Sequence, residues 1–261
     1  MQYLHELAFA KELAKKAGAI FRKNFFSATR TIKSNNTPVT EADIAVSKLV
    51  HQEIGAQLPD HAIMDEEQSH DYEHDGGYVW VCDPVDGTIP FSHRIPTSVF
   101  SLALCKNGKP VFGVAYDPYM DRLYHAVAGG GAFLNDTKVS VKDRKLKAGD
   151  TLFVIANWLA PFDYNLFFKT CHEKKLVIAS IESFVYLSVL LAEGAIVGAV
   201  MPSAHPWDRA AAIGIVSEAG GIMTDEKGHN LSVFGDHRLC IASTPSSHAE
   251  ILSIVQSCIA K

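Results

Sequence analysis

The sequence predicts an α+β part followed by an α/β part, and three observations carry that prediction. Apolar residues recur at helical spacing through the first fifty residues, and short apolar or β-branched runs separated by turn dipeptides fill residues 78–126. From residue 152 onward, runs of both kinds alternate. The change falls in a polar connector at 142–150, which divides the chain into an N-terminal part, 1–145, and a C-terminal part, 146–261.

Taken in order, Leu4, Leu7, Ala8, Leu13, Ala14, Ala17, Ile20 and Phe21 define an amphipathic helix that ends near residues 24–27. Thr40-Glu41-Ala42-Asp43 is a capping box with Asp in place of Glu. The apolar face of Ala42, Ala45, Val46, Leu49 and Val50 continues the helix toward Pro59. Ala62-Ile63-Met64 is strand-like, and strands are expected at 78–82, 98–105, 111–116 and 123–126. Asn107-Gly108, Asp117-Pro118 and Gly129-Gly130-Gly131 supply the turns of an antiparallel meander. In the second part, strands at 152–156, 176–180 and 195–201 alternate with helices at 162–173, 184–192 and 206–219. Strands at 221–224 and 239–243 and a closing helix from Ser246 follow.

Composition narrows the partners. The chain has 261 residues, 48% apolar and 20% charged, with a formal charge of −5 and both signs mixed along most of its length. That is a globular composition without the basic footprint that grips a nucleic-acid backbone, and the basic run at 142–147 is broken by Asp143. Glu6, Lys11, Glu12, Lys15 and Lys16 interrupt any secretory h-region, and no segment reaches the ~18 consecutive apolar residues of a membrane span, so a cytoplasmic location is expected. Five widely spaced cysteines without a C-x-x-C pair read as reduced packing residues.

The chemistry gathers in carboxylates. The apolar run 78–82 ends in Asp83-Pro84-Val85-Asp86-Gly87-Thr88. Carboxylates three apart around a Pro-constrained turn can converge on hard divalent cations such as Mg²⁺, with the Val85 carbonyl as a further oxygen ligand. Gly87 permits close approach of the chain to a ligand. A helix beginning here would direct free N–H groups at a phosphate, and Thr88 adds a hydroxyl. Strand-end Asp-Pro and Asp-Gly pairs also occur in ordinary turns. Asp65-Glu66-Glu67 closes another apolar run, and Asp208 stands in Pro206-Trp207-Asp208-Arg209, where a helix start would favour an acid on its own account. Asp43 has the same alternative.

Together these segments resemble the inositol monophosphatase family. Trp80-Val81-Cys82-Asp83-Pro84-Val85-Asp86-Gly87-Thr88 resembles its first signature. Trp207-Asp208-Arg209-Ala210-Ala211-Ala212 through Glu218-Ala219-Gly220-Gly221 resembles its second. Asp65-Glu66-Glu67 is similar to the family's Gly-Glu-Glu and Val39-Thr40-Glu41-Ala42-Asp43 to its Val-Thr-x-x-Asp, all in family order and spacing. The resemblance implies the layered αβαβα sandwich of the sugar-phosphatase superfamily, a homodimer, and Mg²⁺-dependent, lithium-sensitive hydrolysis of a small phosphomonoester, inositol monophosphate-like or a sugar phosphate. It implies two or three Mg²⁺ per subunit. Glu66, Asp83 and the Val85 carbonyl would hold one, Asp83, Asp86 and Asp208 a second, and Asp43 a weaker third through water. It further implies that Glu66 and Thr88 position the attacking water, with Asp83 bridging, and that the amides of Gly87 and Thr88 hold the phosphate near Lys33.

Substrate choice departs from the family. Met201 stands where inositol-specific members carry a Glu, and Glu182-Ser183-Phe184 replaces a Gly-Ser-Ala type segment, so Ser183, Met201 and Asp208 border a bulkier, more acidic pocket. Ile89-Pro90-Phe91 replaces Thr-Asn-Phe and removes no ligand. Fructose-1,6-bisphosphatase, nucleotide 3′-phosphatase, NADP phosphatase and histidinol-phosphatase activities are the enzymatic alternatives. His93, Arg94, His205 and Arg209 are candidate substrate contacts. A regulatory protein that binds metal or ligand without turnover is the non-enzymatic alternative. His61, His70 and His74, with Asp71 and Glu73, read as a solvated loop rather than a zinc site. Asp-x-x-Asp disfavours the aspartyl-phosphate phosphatases, whose nucleophile motif is Asp-x-Asp.

Overall fold

The computed structural model describes residues 3–33, 37–68, 76–156, 162–202 and 205–259. Helix α1 (Leu4–Asn24) buries Leu7, Leu13, Ala14, Ala17 and Phe21 along one stripe, as the spacing predicts. A short hairpin of β1 (Thr31–Ile32) and β2 (Pro38–Val39) leads into α2 (Glu41–Gln57). The capping box closes there: the Thr40 amide donates to Asp43 Oδ2 at 2.9 Å, and the Ala42 amide to Thr40 Oγ1 at 3.3 Å.

The strands β3 (Ala62–Asp65), β4 (Tyr78–Asp86), β5 (Val99–Lys106), β6 (Lys109–Asp117), β7 (Arg122–Val127), β8 (Gly131–Leu134) and β9 (Thr137–Val139) form one sheet in chain order. Only β3 and β4 are parallel; the rest is the expected meander. A five-residue helix, α3 (Thr88–Ser92), follows β4. The sequence reading assigned neither β8 nor β9, since Gly131 at the start of β8 reads as part of a turn and Asn135, Asp136 and Lys138 break the alternation that would mark β9.

The second sheet contains β10 (Thr151–Val154), β11 (Val177–Ala179), β12 (Gly198–Pro202), β13 (Ile222–Thr224) and β14 (Leu239–Ser243), in the order β11-β10-β12-β14-β13. Helices α4 (Tyr164–Glu173), α5 (Phe184–Ala192), α6 (Pro206–Glu218) and α7 (Pro245–Ser257) complete the chain. The alternating pattern yields parallel pairing for β11, β10 and β12. β14 instead pairs antiparallel with both β12 and β13, because no crossover helix separates β13 from β14.

Packing produces five layers. α1 and α2 cover one face of the seven-stranded sheet through Phe21, Val50, Trp80 and Phe112. α5 and α6 fill the space between the sheets, and α4 and α7 cover the outer face of the smaller one. The αβαβα sandwich is therefore the fold. Two contacts bring the site together. Trp80 in β4 packs edge-on against Phe9 and Phe112 and donates from Nε1 to His61 Nδ1 at 3.1 Å. Truncating such a buried aromatic costs about 3–5 kcal/mol. At Gly113 in β6, a side chain would meet the Ala211 carbonyl at 2.8 Å, so the missing Cβ lets α6 lie directly on the sheet. That approach sets the first turn of α6 beside the end of β4.

His61 is thereby accounted for by Trp80 and by stacking on Tyr78 at 4.9 Å. His70, Asp71, Glu73 and His74 lie outside the described residues. All five cysteines are buried and free.

Candidate active site

Residues three apart on a regular strand point to opposite faces. Asp83 and Asp86 escape that rule because the pairing of β4 with β5 shifts register between them. Pro84, with no N–H to donate, occupies the irregular step. Both carboxylates then turn to the same side, where α6 presents Asp208 from its third position. One oxygen from each of Asp83, Asp86 and Asp208 lies within 4.8 Å of the others. Asp208 also caps its own helix, accepting from the His205 amide at 2.7 Å, so the helix-start reading of the sequence and its place in the cluster both hold.

Gathering acids out of water raises their pKa values. Burial, then Glu66, Asp86, Asp208 and Asp43, push Asp83 well above the usual carboxylate range. Burial, then Asp86 and Glu66, push Asp208 up to about 8. Asp86 rises less, to about 6, because burial is opposed by hydrogen bonds from Ser183 and from the amides of Val185, Phe184 and Tyr186. These amides belong to the first turn of α5: Phe184 donates to Oδ1 at 3.0 Å and Val185 to Oδ2 at 2.8 Å, while the Ser183 hydroxyl donates to Oδ2. Asp86 thus anchors a helix of the second part to a strand of the first. The sequence reading missed that link, although Ser183 before the apolar run 184–192 had the form of an N-cap.

Asp43 faces the same turn. Its Oδ2 accepts from the Thr40 amide, and Thr88 Oγ1 lies 3.1 Å from its Oδ1 and 3.2 Å from the Val85 carbonyl, one proton facing two acceptors. Burial pushes Asp43 up to about 7, with the Thr40 hydrogen bonds opposing and Glu66 and Glu67 adding. The Val85 amide donates to Asp83 Oδ1 at 3.0 Å. Gly87 has φ +93°, and a Cβ there would meet the Glu182 carbonyl and the Ser183 Cβ at 3.1 Å, so only glycine fits this close crossing. α3 starts at Thr88 with first-turn amides that have no intrahelical partner. Glu66 stands outside the tight trio. Its Oε1 takes a 3.0 Å ion pair from Lys33, which also reaches Glu67 at 2.7 Å.

A cleft of about 150 Å³ opens beside the trio, lined by Asp86, Ile155, Glu182, Ser183, Phe184, Pro202 and Asp208. Met201 is fully buried among Phe184, Leu187 and Ala212, and it is the next residue, Pro202, that reaches the cleft. A strand's alternation explains the exchange, since neighbours on β12 face opposite sides. His93 is exposed, its ring nitrogen Nδ1 bonded at 2.9 Å to the Ile89 carbonyl, and Arg94 is exposed beside it. Exposed His205 stacks on Trp207 at 4.7 Å. Arg209 is buried, with Nε and Nη1 lacking hydrogen-bond partners. A larger cavity of about 640 Å³ lies at the far end of α6, beside Gly214, Ser217 and Leu231, and contains none of the three carboxylates. Convergent chemistry, and not volume, locates the site.

The donor set fits Mg²⁺. Three carboxylates, Asp83 and Asp86 buried and Asp208 half-buried, and a backbone carbonyl are hard oxygen ligands, and the repulsion among the acids is the feature that divalent cations relieve. The sequence pattern of the inositol monophosphatase family matches residues 3–260. A protein of Pasteurella multocida named Nus factor SuhB is 30% identical, the match covering 97% of this chain and 96% of that one. The histidinol-phosphatase of Chlorobaculum parvum is 32% identical over 88% of this chain and 90% of its own. Among solved structures, an IMPase of Thermotoga maritima superposes with a TM-score of 0.88 at 26% identity, covering 97% and 98% of the two chains.

Proposed function

The chain belongs to the inositol monophosphatase family and is a phosphoric monoester hydrolase, and from that premise we propose that Asp83, Asp86 and Asp208 form the core of its Mg²⁺-dependent active site. The observation that carries the assignment is the convergence of three carboxylates, two buried and one half-buried, that repel one another. Asp83, Asp86 and Asp208 would hold one cation, and Asp83, Glu66 and the Val85 carbonyl another, with Asp43 supporting a third through water. The chemistry that Mg²⁺ supplies when bound is acidification of water and neutralisation of charge on the phosphoryl group.

The chain's own residues do the rest. The amides of Gly87 and Thr88 hold the phosphate oxygens at the start of α3. Glu66 and the Thr88 hydroxyl orient the attacking water in line with phosphorus, and Glu66 takes up its proton. Asp86 stays fixed because Ser183 and three amides of α5 hold it. Water adds to phosphorus as the ester P–O bond breaks, the leaving oxygen takes a proton from solvent water, and the alcohol departs through the cleft lined by Glu182, Phe184 and Pro202.

The finer reading is a cytoplasmic homodimer acting on a small phosphomonoester, with two or three Mg²⁺ per subunit. Among the described residues, no helix is long and apolar enough to cross a membrane. The relative named as a Nus factor favours a second reading, a regulatory protein on the same fold. The retained set Glu66, Asp83, Asp86, Thr88 and Asp208 speaks for turnover. A phosphate-release screen across phosphomonoesters, with Mg²⁺ present or chelated, tests both. Mg²⁺-dependent release is expected, and no release from any ester would overturn the enzymatic reading in favour of the regulatory one.

A further inference from the structure

We infer that Glu182 selects the alcohol half of the substrate, and that the preferred esters are phosphates of small amino alcohols whose protonated amine pairs with its carboxylate. The inference rests on the reading of the acidic trio as a phosphomonoesterase site and names the substrate class of that site.

Placement comes first. The main chain at Glu182 crosses over Gly87, close enough that a Cβ there would meet the Glu182 carbonyl at 3.1 Å. The segment therefore lies against the turn assigned to the phosphate, and a group esterified to that phosphate emerges beside it. Of the described residues lining the cleft, Asp86 and Asp208 are committed to cations, Ser183 spends its proton on Asp86, and Ile155, Phe184 and Pro202 are apolar. Glu182 is the remaining charged group. No Lys, Arg or His is among these lining residues.

This inventory discriminates. A second phosphate or a carboxylate on the alcohol would meet Glu182 without a compensating cation, which disfavours bisphosphates and phosphorylated acids. At about 150 Å³ the cleft is smaller than the roughly 300 Å³ at which pockets for larger ligands begin, which disfavours nucleotides. A neutral polyol finds a single acceptor wall, since Met201 is buried in the core and carries no oxygen. A protonated amine, by contrast, gains a charge-assisted hydrogen bond, roughly twice as strong as a neutral one. The Ala156 amide and the Ser180 hydroxyl already bond the half-buried Glu182 carboxylate. Burial raises the Glu182 carboxyl above its ordinary range, these two hydrogen bonds oppose that rise, and part of its capacity of about four acceptor sites is left for the ligand. The carbon skeleton of the alcohol packs on Ile155, Phe184 and Pro202.

The test compares isosteres. 3-Aminopropyl phosphate and butyl phosphate differ by an ammonium in place of a methyl, and kcat/KM for each is measured with Mg²⁺. We expect the wild type to prefer the amine by about tenfold or more, the range of one hydrogen bond to a charged group. The ratio should fall toward one in Glu182→Gln and recover in part in Glu182→Asp. Calorimetric binding of the same pair, with Ca²⁺ replacing Mg²⁺, should show the same preference in dissociation constants. Release from both esters with a wild-type ratio near one, or an equal ratio in Glu182→Gln, overturns this inference and leaves the phosphomonoesterase reading standing. No Mg²⁺-dependent release from these esters, p-nitrophenyl phosphate or sugar phosphates overturns both.

Discussion

Asp65 and Asp83 are the same residue type, lie on neighbouring parallel strands, Asp65 at the end of β3 and Asp83 in β4 one residue beyond Cys82, the partner of Asp65, and are almost equally buried, at 0% and 2% exposure. Their surroundings are opposite. Asp65 accepts from Ser47 Oγ at 2.7 Å, from the amides of Glu67 and Gln68 at 2.8 and 2.6 Å, and bonds His51 Nε2 at 2.9 Å. Asp83 receives the Val85 amide at 3.0 Å and otherwise faces Glu66, Asp86, Asp208 and Asp43. A buried carboxylate supplied with donors holds structure, here joining α2 to the turn that carries Glu66. One surrounded by like charge is costly unless a cation arrives.

The largest expected effect separates the two. Asp83→Asn should lower kcat/KM by on the order of 10³ or more, as expected when the carboxylate shared by both cations that neutralise the phosphoryl is lost. The metal-free variant should melt at or above the wild-type temperature, because a repulsive charge has gone. Asp65→Asn should do the reverse, losing about 2–4 kcal/mol in denaturant titrations as donors lose their acceptor, with a smaller loss of activity per folded molecule. If Asp83→Asn unfolds and Asp65→Asn inactivates without destabilising, the contrast is wrong.

Next in size is the pH dependence of the metal-free protein. Burial and neighbouring carboxylates hold Asp208 at about 8, and burial above all holds Asp43 at about 7. Between the usual carboxylate range and these values, the folded chain binds protons that the unfolded chain has released. Stability contributed by these acids is therefore greatest at low pH and falls as pH rises toward 8. Melting of the chelated protein should drop by about 5 °C or more between pH 5.5 and 8.5, at roughly 2–4 °C per kcal/mol for a chain of this size. Saturating Mg²⁺ should abolish most of the drop and bind more tightly as pH rises. A melting temperature that climbs with pH in chelator would mean that the trio is not charge-frustrated.

What the sequence made legible follows the same line between local and assembled features. The two opening helices, the capping box at Thr40 and the meander from β4 to β7 follow from short-range patterns that burial reinforces. Strand β8 was missed because it is short and opens on the glycines that mark a turn, β9 because it is short and polar, and the antiparallel β14 because pairing direction depends on a missing crossover helix. Asp83, Asp86 and Asp208 each had a recognisable place in the sequence. Their approach depends on the register shift in β4 and on Gly113 admitting α6. The cleft was least legible, since which of Met201 and Pro202 reaches it is decided by the register of β12 and not by residue type.

A smaller effect is expected where the two parts are tied. Ser183→Ala removes the N-cap of α5 and one donor to Asp86, leaving the three amides in place. A loss of about 1–2 kcal/mol in stability is expected by denaturant titration. Half-saturating Mg²⁺ should change little, because Asp86 keeps its position. A large rise in half-saturating Mg²⁺ would show that the hydroxyl, and not the helix amides, orients Asp86.

Glu66 lies between the two kinds of carboxylate, and its state turns on Lys33. The Lys33 ammonium sits 3.0 Å from Glu66 and 2.7 Å from Glu67, so Glu66 already has a cation and resembles Asp65 in being satisfied. If Glu66 also serves a metal, Lys33 and Mg²⁺ compete for it. Lys33→Ala should then convert Glu66 into an acid of the Asp83 kind, unsatisfied and more attractive to a divalent cation. The half-saturating Mg²⁺ concentration should fall by up to about fivefold, the worth of an ion pair of about 1 kcal/mol, while Lys33→Arg keeps the pairing and shows little change. Mg²⁺ titrations of phosphate release and of intrinsic fluorescence, at fixed ionic strength, measure both. A rise in half-saturating Mg²⁺ on removing Lys33 would place Glu66 with Asp65 as a structural acid and leave Asp83, Asp86 and Asp208 to carry the metal site without it.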